Sequence, residues 1–310
     1  MNELELIARL THSLPANASL VAGAGDDCAV LDCGLPGRYL LFKTDAVVQG
    51  VHFTARATPE QIGHKALGRC LSDIAAMAGR PLAALVTAAL PNNFDPAFVE
   101  RIYAGLNALA LRHGVAIAGG ETVSNPERLL LSISMVGEVA RDKCLRRGGA
   151  KPGDALFVTG ELGGSLSGKH LDFEPRLAEA QWLAQNFHIH SMIDLSDGLA
   201  GDLRHLLLAS HTGAELLSQA IPISRAARLQ ARAPSHPKPP LLAALGDGED
   251  FELLFTVASR DAVRLLDRWK KQFPKLRLTC IGRITAGRGL KLRDKTGLHS
   301  LETHGYVHFS

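Results

Sequence analysis

Residues 58–90 read TPEQIGHKALGRCLSDIAAMAGRPLAALVTAAL. Thr58-Pro59-Glu60 opens a helix: a hydroxyl that can cap the first amides, a proline where no donor is needed, and an acid in the first turn. The helix is expected to run to about Ala78 and to stop before Gly79-Arg80-Pro81. Leu82–Leu90 then reads as a buried strand. One polar stripe crosses the helix, because Lys65, Arg69 and Asp73 are four residues apart on an otherwise apolar stretch. It is either a salt-bridge ladder or a set of groups held for chemistry.

Outward from this pair the same alternation continues. Leu4–Leu10 has helical spacing, and Ala29–Leu31 and Tyr39–Lys43 read as strands around the turn Gly34–Gly37. Pro96–His113 is a second long helix, followed by a short apolar run ending in Gly119-Gly120 and by an alternating strand over Leu129–Val139. Gly, Lys and Pro cluster over Arg146–Asp154, where a boundary divides residues 1–145 from 146–310. Beyond it come strands at Ala155–Thr159, Met192-Ile193, Phe251–Val257 and Leu276–Gly282. Helices are expected at Leu177–Phe187, Leu199–Ala209 and Ala262–Phe273, with a loop over Ala231–Pro240. The alternation is irregular, which predicts two α/β sandwich domains (α/β in the α+β sense) rather than one doubly wound sheet.

A chain of 310 residues fits two domains. Hydrophobic residues are 46% and charged residues 21%, ordinary for a globular protein, and aromatics are only 5%, so the core should be aliphatic. A net charge of +3 gives no reason to expect nucleic acid or an anionic membrane as partner. No apolar stretch approaches the roughly 18 residues of a membrane span, and Glu3 and Glu5 stand where a secretion signal would carry Lys or Arg. The expectation is a cytoplasmic protein. Cys28, Cys33, Cys70, Cys144 and Cys280 are scattered and odd in number, so they should be buried free thiols rather than disulfides or a zinc site.

The acids are unusual in their places. Asp26-Asp27 precedes a strand, Thr44-Asp45 follows one, and Asp73 interrupts an apolar helix. Glu121 follows Gly119-Gly120. Asp194, Ser196 and Asp197 lie between a strand and a helix, and Asp247, Glu249, Asp250 and Glu252 crowd the start of another strand. Burying a lone carboxylate costs several kcal/mol unless charge or hydrogen bonds offset it (about 3–5 kcal/mol when a buried pair is broken). Acidic turns converging on Mg²⁺ and a polyphosphate would supply that compensation. Each turn also has a plainer reading: Asp197 as a helix cap, Asp26-Asp27 as an ordinary turn, His52 as a packed loop residue. Gly163–Lys169 fits G-x-x-x-x-G-K, but His170 stands where a P-loop has its Mg²⁺-binding hydroxyl, so the match reads as coincidence. No dinucleotide-binding fingerprint and no nucleophile motif is present.

Eight segments in order resemble one family: GAGDDCAVL (23–31), KTDAVVQGVHF (43–53), KALGRCLSDIAAMAGRP (65–81), AGGETVSNP (118–126), RRGGAKPGDALFVTGELGGS (146–165), MIDLSDGLAGDL (192–203), GDGEDFELLFT (246–256) and GYVHF (305–309). They are similar to the thiamine-monophosphate kinases, relatives of aminoimidazole ribonucleotide synthase, selenophosphate synthetase and a hydrogenase maturation factor. The resemblance implies two α/β domains, with the N-terminal domains of two subunits forming a β-barrel-like homodimer. It implies transfer of the γ-phosphoryl of ATP to thiamine monophosphate at a multi-Mg²⁺ site, with K⁺ as a further candidate ion. By motif, Asp27, Thr44, Asp45, Asp73, Glu121, Asp194 and Asp197 would hold Mg²⁺. Gly119, Gly120, Glu121, Arg147 and Ser196 would contact ATP. His52, Glu249 and Tyr306 would face thiamine monophosphate, and Asp45, Asp197 and Arg147 would carry the catalysis.

The chain departs from the pattern at several points. Lys43 stands where the family has Ser or Thr before Thr-Asp, Glu121 where it has Asp, and Cys70 where it has Asn. Arg146-Arg147-Gly148-Gly149 replaces Thr-Arg-Ser-Gly, and residues 165–192 form a shorter stretch. A cation at position 43 would either repel Mg²⁺ or replace one ion. Two other readings therefore stand beside the kinase: a related enzyme with another small acceptor, and a nucleotide-binding homologue without activity.

Overall fold

The structure is a computed structural model and describes residues 3–233 and 238–302. The first half runs α1 (Glu3–Thr11), β1 (Leu20–Ala22), β2 (Ala29–Leu31), β3 (Arg38–Val48), α2 (Pro59–Ala76), β4 (Arg80–Leu90), α3 (Pro96–His113), β5 (Ala116–Ser124) and β6 (Leu130–Ala140). Its six strands form one mixed sheet in the order β1-β2-β3-β6-β4-β5, in which only β4 and β5 are parallel. Among the described residues this sheet is open, with β1 and β5 at its edges.

The second half runs β7 (Asp154–Thr159), α4 (Lys169–Asp172), α5 (Leu177–Asn186), β8 (Ile189–Asp194), α6 (Leu199–Ser210), β9 (Gly213–Leu217), α7 (Arg225–Gln230), α8 (Pro240–Gly246), β10 (Leu253–Ala258), α9 (Ala262–Gln272), β11 (Leu278–Thr285), β12 (Gly289–Asp294) and β13 (Gly297–Ser300). A seven-stranded sheet of order β13-β12-β9-β11-β7-β10-β8 forms its floor, with only β12 and β9 parallel.

Helix α2 is where the halves meet. Thr58 and Gln61 cap it reciprocally, as the hydroxyl, proline and acid at its start predict. Leu67, Leu71 and Ile74 of α2 join Leu41 and Ile133 of the first sheet in one core, which continues through Leu177 and Leu183 of α5 to Phe157 and Phe255 of the second sheet. The other face of that second sheet, with Leu156, Val158 and Leu254, is covered by Leu199, Leu203 and Leu206 of α6. Neighbouring residues 156 and 157 serve opposite layers because strand side chains alternate. Helix α3 lies against α2 at very close range. A Cβ on Gly63 would lie 1.9 Å from the Ile102 carbonyl oxygen, and one on Gly105 2.0 Å from that of Glu60.

Several boundaries differ from the sequence reading. Thr44-Asp45 does not follow β3 but lies inside it, and Gly119–Thr122 lies inside β5. Polar residues are tolerated in β3 because Thr44 faces the open side of the sheet while Lys43 and Asp45 pair with charges on the α2 side. Phe251 is outside β10, since its φ of 50° is incompatible with a strand. The sequence reading does not anticipate β1, β9, β12, β13, α4, α7 or α8, which are short or only weakly patterned. Cys28 and Cys70 are buried and unbonded as expected, whereas Cys33 is exposed and Cys144 and Cys280 are half-buried. No helix among the described residues is long and apolar enough to cross a membrane.

Candidate active site

Three carboxylates from three elements converge at the junction of the halves. Asp27 comes from the turn before β2, Asp73 from α2 and Asp194 from the end of β8, and each offers an oxygen within 4.8 Å of the others. All three are buried. Asp27 Oδ1 accepts from Arg147 Nε (3.1 Å) and Nη2 (2.6 Å), while Asp27 Oδ2, also buried, has no partner. Asp194 accepts from Ser72 Oγ at 2.5 Å. Burial, together with the charge of Asp27, pushes Asp194 up to about 7, and burial with the same neighbour pushes Asp26 to about 6. An orphaned buried oxygen among crowded carboxylates is a donor set that fits a hard divalent cation such as Mg²⁺.

Beside this trio lies a second charged group. Lys43 Nζ is 3.0 Å from Asp73 Oδ1 and 4.0 Å from Asp45 Oδ2, and Arg69 Nη2 is 3.4 Å from Asp45 Oδ1. Burial lowers the Lys43 pKa, but the Asp73 and Asp45 charges outweigh it and hold the ammonium above its usual range. Burial likewise opposes ionisation of Asp45, and Lys43 and Arg69 overcome it, so its pKa is lowered.

A cleft between the halves opens next to these groups. Val51, His52 and Arg69 line one wall, and Leu166, Ser196, Asp197, Asp247, Glu249 and Phe251 the other. The Glu249 carboxylate accepts from Lys65 Nζ at 2.6 Å, lies 2.9 Å from His170 Nδ1 and 3.6 Å from Arg69 Nη1. Burial would raise its pKa, but the His170 and Lys65 contacts bring it down to about 2. Burial lowers Lys65 to about 8 despite Glu249. Glu249 and Phe251 have φ of 55° and 50°. Each left-handed non-glycine residue costs on the order of 1–2 kcal/mol, strain of the kind found at ligand sites. Phe251 also stacks on Phe173, with ring centroids 3.9 Å apart. His52 accepts from the Val48 amide through Nδ1 at 3.1 Å, which leaves the proton of the neutral ring on Nε2.

Of the residues singled out from sequence, Asp27, Asp73, Asp194, Asp45 and Arg147 meet around the acidic trio, and His52, Ser196, Asp197 and Glu249 share the cleft. Asp197 does not cap α6: the cap position is Gly198, and the Asp197 amide instead donates to buried Asp202 at 3.0 Å. Thr44 points to the other face of its strand, where its hydroxyl accepts from Ser134 at 3.4 Å. Gly119, Gly120 and Glu121 are not brought to the trio. Gly120 pairs with Val86, Val86 with Ile133 and Ile133 with Asp45, three strand spacings or roughly 14 Å in all. Tyr306 lies outside the described residues.

The Lys65/Arg69/Asp73 stripe is no ladder, because its members pair with residues off the helix: Lys65 with Glu249, Arg69 with Asp45 and Glu249, and Asp73 with Lys43. The G-x-x-x-x-G-K stretch is consumed internally. The Gly163 and Gly164 amides donate to Asp250 and Asp247, and Lys169 pairs with Glu252 at 2.8 Å. Sequence reasoning missed Ser72, Asp202, His170 and Phe251. Of these only Ser72, beside Asp73 in LSD, carried a local signal.

Residues 25–139 match the family described as AIR synthase related protein, N-terminal domain, and residues 151–295 its C-terminal domain counterpart. The thiamine-monophosphate kinase of Rhodopirellula baltica is 39% identical over 306 residues, covering 96% of this chain and 93% of that protein. The chain belongs to the thiamine-monophosphate kinase family. The family member from Bacillus subtilis is 33% identical over the whole length of both chains. A solved structure described as AaThiL complexed with AMPPCP and TMP superposes with a TM-score of 0.82 at 30% identity, covering 99% of this chain and 97% of that one. The hydrogenase maturation protein HypE of Escherichia coli shares the fold, with a TM-score of 0.74 at 20% identity.

Proposed function

We propose that this chain transfers the γ-phosphoryl group of ATP to the phosphate of thiamine monophosphate, giving thiamine diphosphate and ADP. The observation that carries the reading is the convergence of Asp27, Asp73 and Asp194, with Asp27 Oδ2 unpartnered, beside a cleft shared by both halves. It is supported by full-length similarity to a protein solved with AMPPCP and TMP.

In this reading Asp27, Asp73 and Asp194 hold Mg²⁺, with Asp45 and Asp197 at the margins of the same site. Bound there, Mg²⁺ would neutralise phosphate oxygens and help align the triphosphate. Arg147 adds a fixed positive charge at the Asp27 side. His52, through its Nε2 proton, and Arg69 offer donors to the acceptor's phosphate. The Glu249 carboxylate, kept ionised by Lys65 and His170, suits the cationic end of thiamine. Phe251 supplies an apolar wall. A phosphate acceptor is already anionic near neutral pH, so no strong base is required and positioning dominates. Transfer is direct and in line, without a phosphoenzyme.

Thr44, Gly119 and Glu121 lie on the open face of the first sheet, with Phe42, Leu85 and Val123 exposed beside them. A second copy of the chain covers this face in our reading, closing the sheet into a shared barrel and bringing nucleotide contacts from Gly119, Gly120 and Glu121. We divide the chain at 145/146 into an N-terminal ATP and dimerisation domain and a C-terminal α/β domain. The reaction is placed in the cytoplasm, with K⁺ as a candidate additional ion. An acceptor panel tests the substrate: thiamine monophosphate should be phosphorylated, and thiamine and unrelated phosphate monoesters should not. Preference for another monoester would overturn the assignment.

A further inference from the structure

We propose that the Lys43 ammonium is a resident cation of this site, occupying the Asp45–Asp73 edge so that the protein recruits one divalent ion fewer than an uncharged residue at position 43 would allow. The inference rests on the metal-dependent reading above and deepens it.

The geometry gives the acids an edge and a corner that share Asp73. On one edge, Asp73 and Asp45 face Lys43, and Asp45 also faces Arg69. A divalent ion seated there would lie against an ammonium only 3.0 Å from the Asp73 oxygen it needs. Two cations at such distances repel strongly in a site shielded from water. At the opposite corner, Asp27 Oδ2 is buried and unpartnered, and Asp27, Asp73 and Asp194 oxygens lie within 4.8 Å of one another. Among the described residues, the cation paired with Asp27 is Arg147, which occupies Oδ1 and leaves Oδ2 without a partner, whereas Lys43 reaches the trio only through Asp73 Oδ1. With every carboxyl ionised, as it must be to hold a metal, Asp27, Asp45, Asp73 and Asp194 exceed Lys43, Arg69 and Arg147 by one charge. A divalent ion is therefore favoured at the open corner and disfavoured at the occupied edge.

Lys43 also has nowhere better to go. It sits on β3 between Leu41 and Asp45 on the face turned to α2, with its side chain 21% exposed. Leaving would strand Asp73 with like charges, a loss comparable to breaking any buried ion pair.

Mn²⁺ bound per chain, counted by electron paramagnetic resonance with a saturating non-hydrolysable ATP analogue, tests this in wild type and Lys43→Thr. The expected result is one more Mn²⁺ per chain in the variant. Equal, non-zero counts would overturn the inference and leave the kinase reading standing. No Mn²⁺ on either protein would overturn both. Lysine acylation followed by mass spectrometry decides the matter on wild type alone, should the variant not fold. Lys43 should react at least about tenfold more slowly than exposed Lys295, with or without Mg²⁺. Labelling of Lys43 that rises when Mg²⁺ is added would show displacement of the ammonium and overturn the inference.

Discussion

Ser72 Oγ donates to Asp194 Oδ2 at 2.5 Å, a hydrogen bond between buried groups that ties α2 of the first half to the end of β8 in the second. The neighbour of Ser72 in the chain, Asp73, reaches the same acidic trio. One turn of α2 thus sets both the contact between the halves and the position of the carboxylates.

Asp194→Asn should keep this bond, since an amide oxygen also accepts, while removing one charge from a crowded cluster. Thermal unfolding in chelator is expected to show an unchanged or higher Tm for the variant. The rise in Tm that Mg²⁺ gives the wild type should vanish, and activity should fall by about 10²–10³, the scale of losing a key electrostatic group. A variant that is still stabilised by Mg²⁺ to the wild-type extent would place the ion elsewhere.

The pKa of Asp194, about 7, gives a pH dependence with a definite sign. An unfolded aspartate titrates near 4, so between about 4 and 7 the folded chain holds a proton the unfolded chain has lost. This contribution makes metal-free stability fall as pH rises through that window, by at most about 1.4 kcal/mol per unit. Mg²⁺ must displace the proton, so its stabilising effect should grow from about pH 5 to about pH 7.5 and level off above. Melting curves with chelator and with Mg²⁺ across that range would show the divergence; parallel curves would contradict it.

Lys65 is fully buried, with its charge answered by Glu249 at 2.6 Å. Glu249→Gln leaves an ammonium without its counter-charge and is expected to cost about 3–5 kcal/mol in urea unfolding. It should also raise KM for the acceptor more than it lowers kcat if Glu249 faces the cationic end of thiamine. A loss confined to kcat would point to a direct part in the chemistry.

Gly63→Ala would press a methyl group onto the Ile102 carbonyl, 1.9 Å away on rigid helix backbone. Overpacking of this kind costs about 1–3 kcal/mol or more, and here it would push α2 off α3. Because α2 carries Lys65, Arg69 and Asp73, activity should fall together with stability. Full activity in a stable variant would mean the helices part without moving the site.

The barrel-like dimer makes Leu85 a sharp probe, since it is half exposed on the open sheet face. Leu85→Glu is expected to convert a dimer to a monomer in light scattering with little change in circular dichroism. A wild-type monomer at micromolar concentration would contradict the proposed pairing.

How much was legible in the sequence depended on the signal each element carries. The helix from Pro59 announced itself through its cap, its proline and its stop, and β4 through an unbroken apolar run. The second sheet was less readable, because β9, β12 and β13 are four to six residues long, β9 and β12 owe their pairing to partners distant in sequence, and β13 only adds a hairpin to β12. Lys43-Thr44-Asp45 looked like the end of a strand because its polarity hides the pattern. What keeps it in β3 is compensation by Asp73 and Arg69, which no local window contains. Among site residues, those beside glycine or in acidic turns stood out. His170 did not, and Lys65 stood out only as part of a helical stripe, since their partner Glu249 is 79 and 184 residues away in sequence. The lookalike phosphate loop at Gly163 reads as coincidence in the sequence because His170 replaces its hydroxyl; the structure adds a separate reason, since its amides are taken up by Asp250 and Asp247.

The most direct test of the central claim is thiamine diphosphate formation from ATP and thiamine monophosphate, followed chromatographically against free Mg²⁺ from chelator to saturation. The account predicts no product in chelator and, as Mg²⁺ rises, thiamine diphosphate and ADP in equal amounts. Product formed without a divalent ion, or bound ATP with no product anywhere in the range, would contradict it.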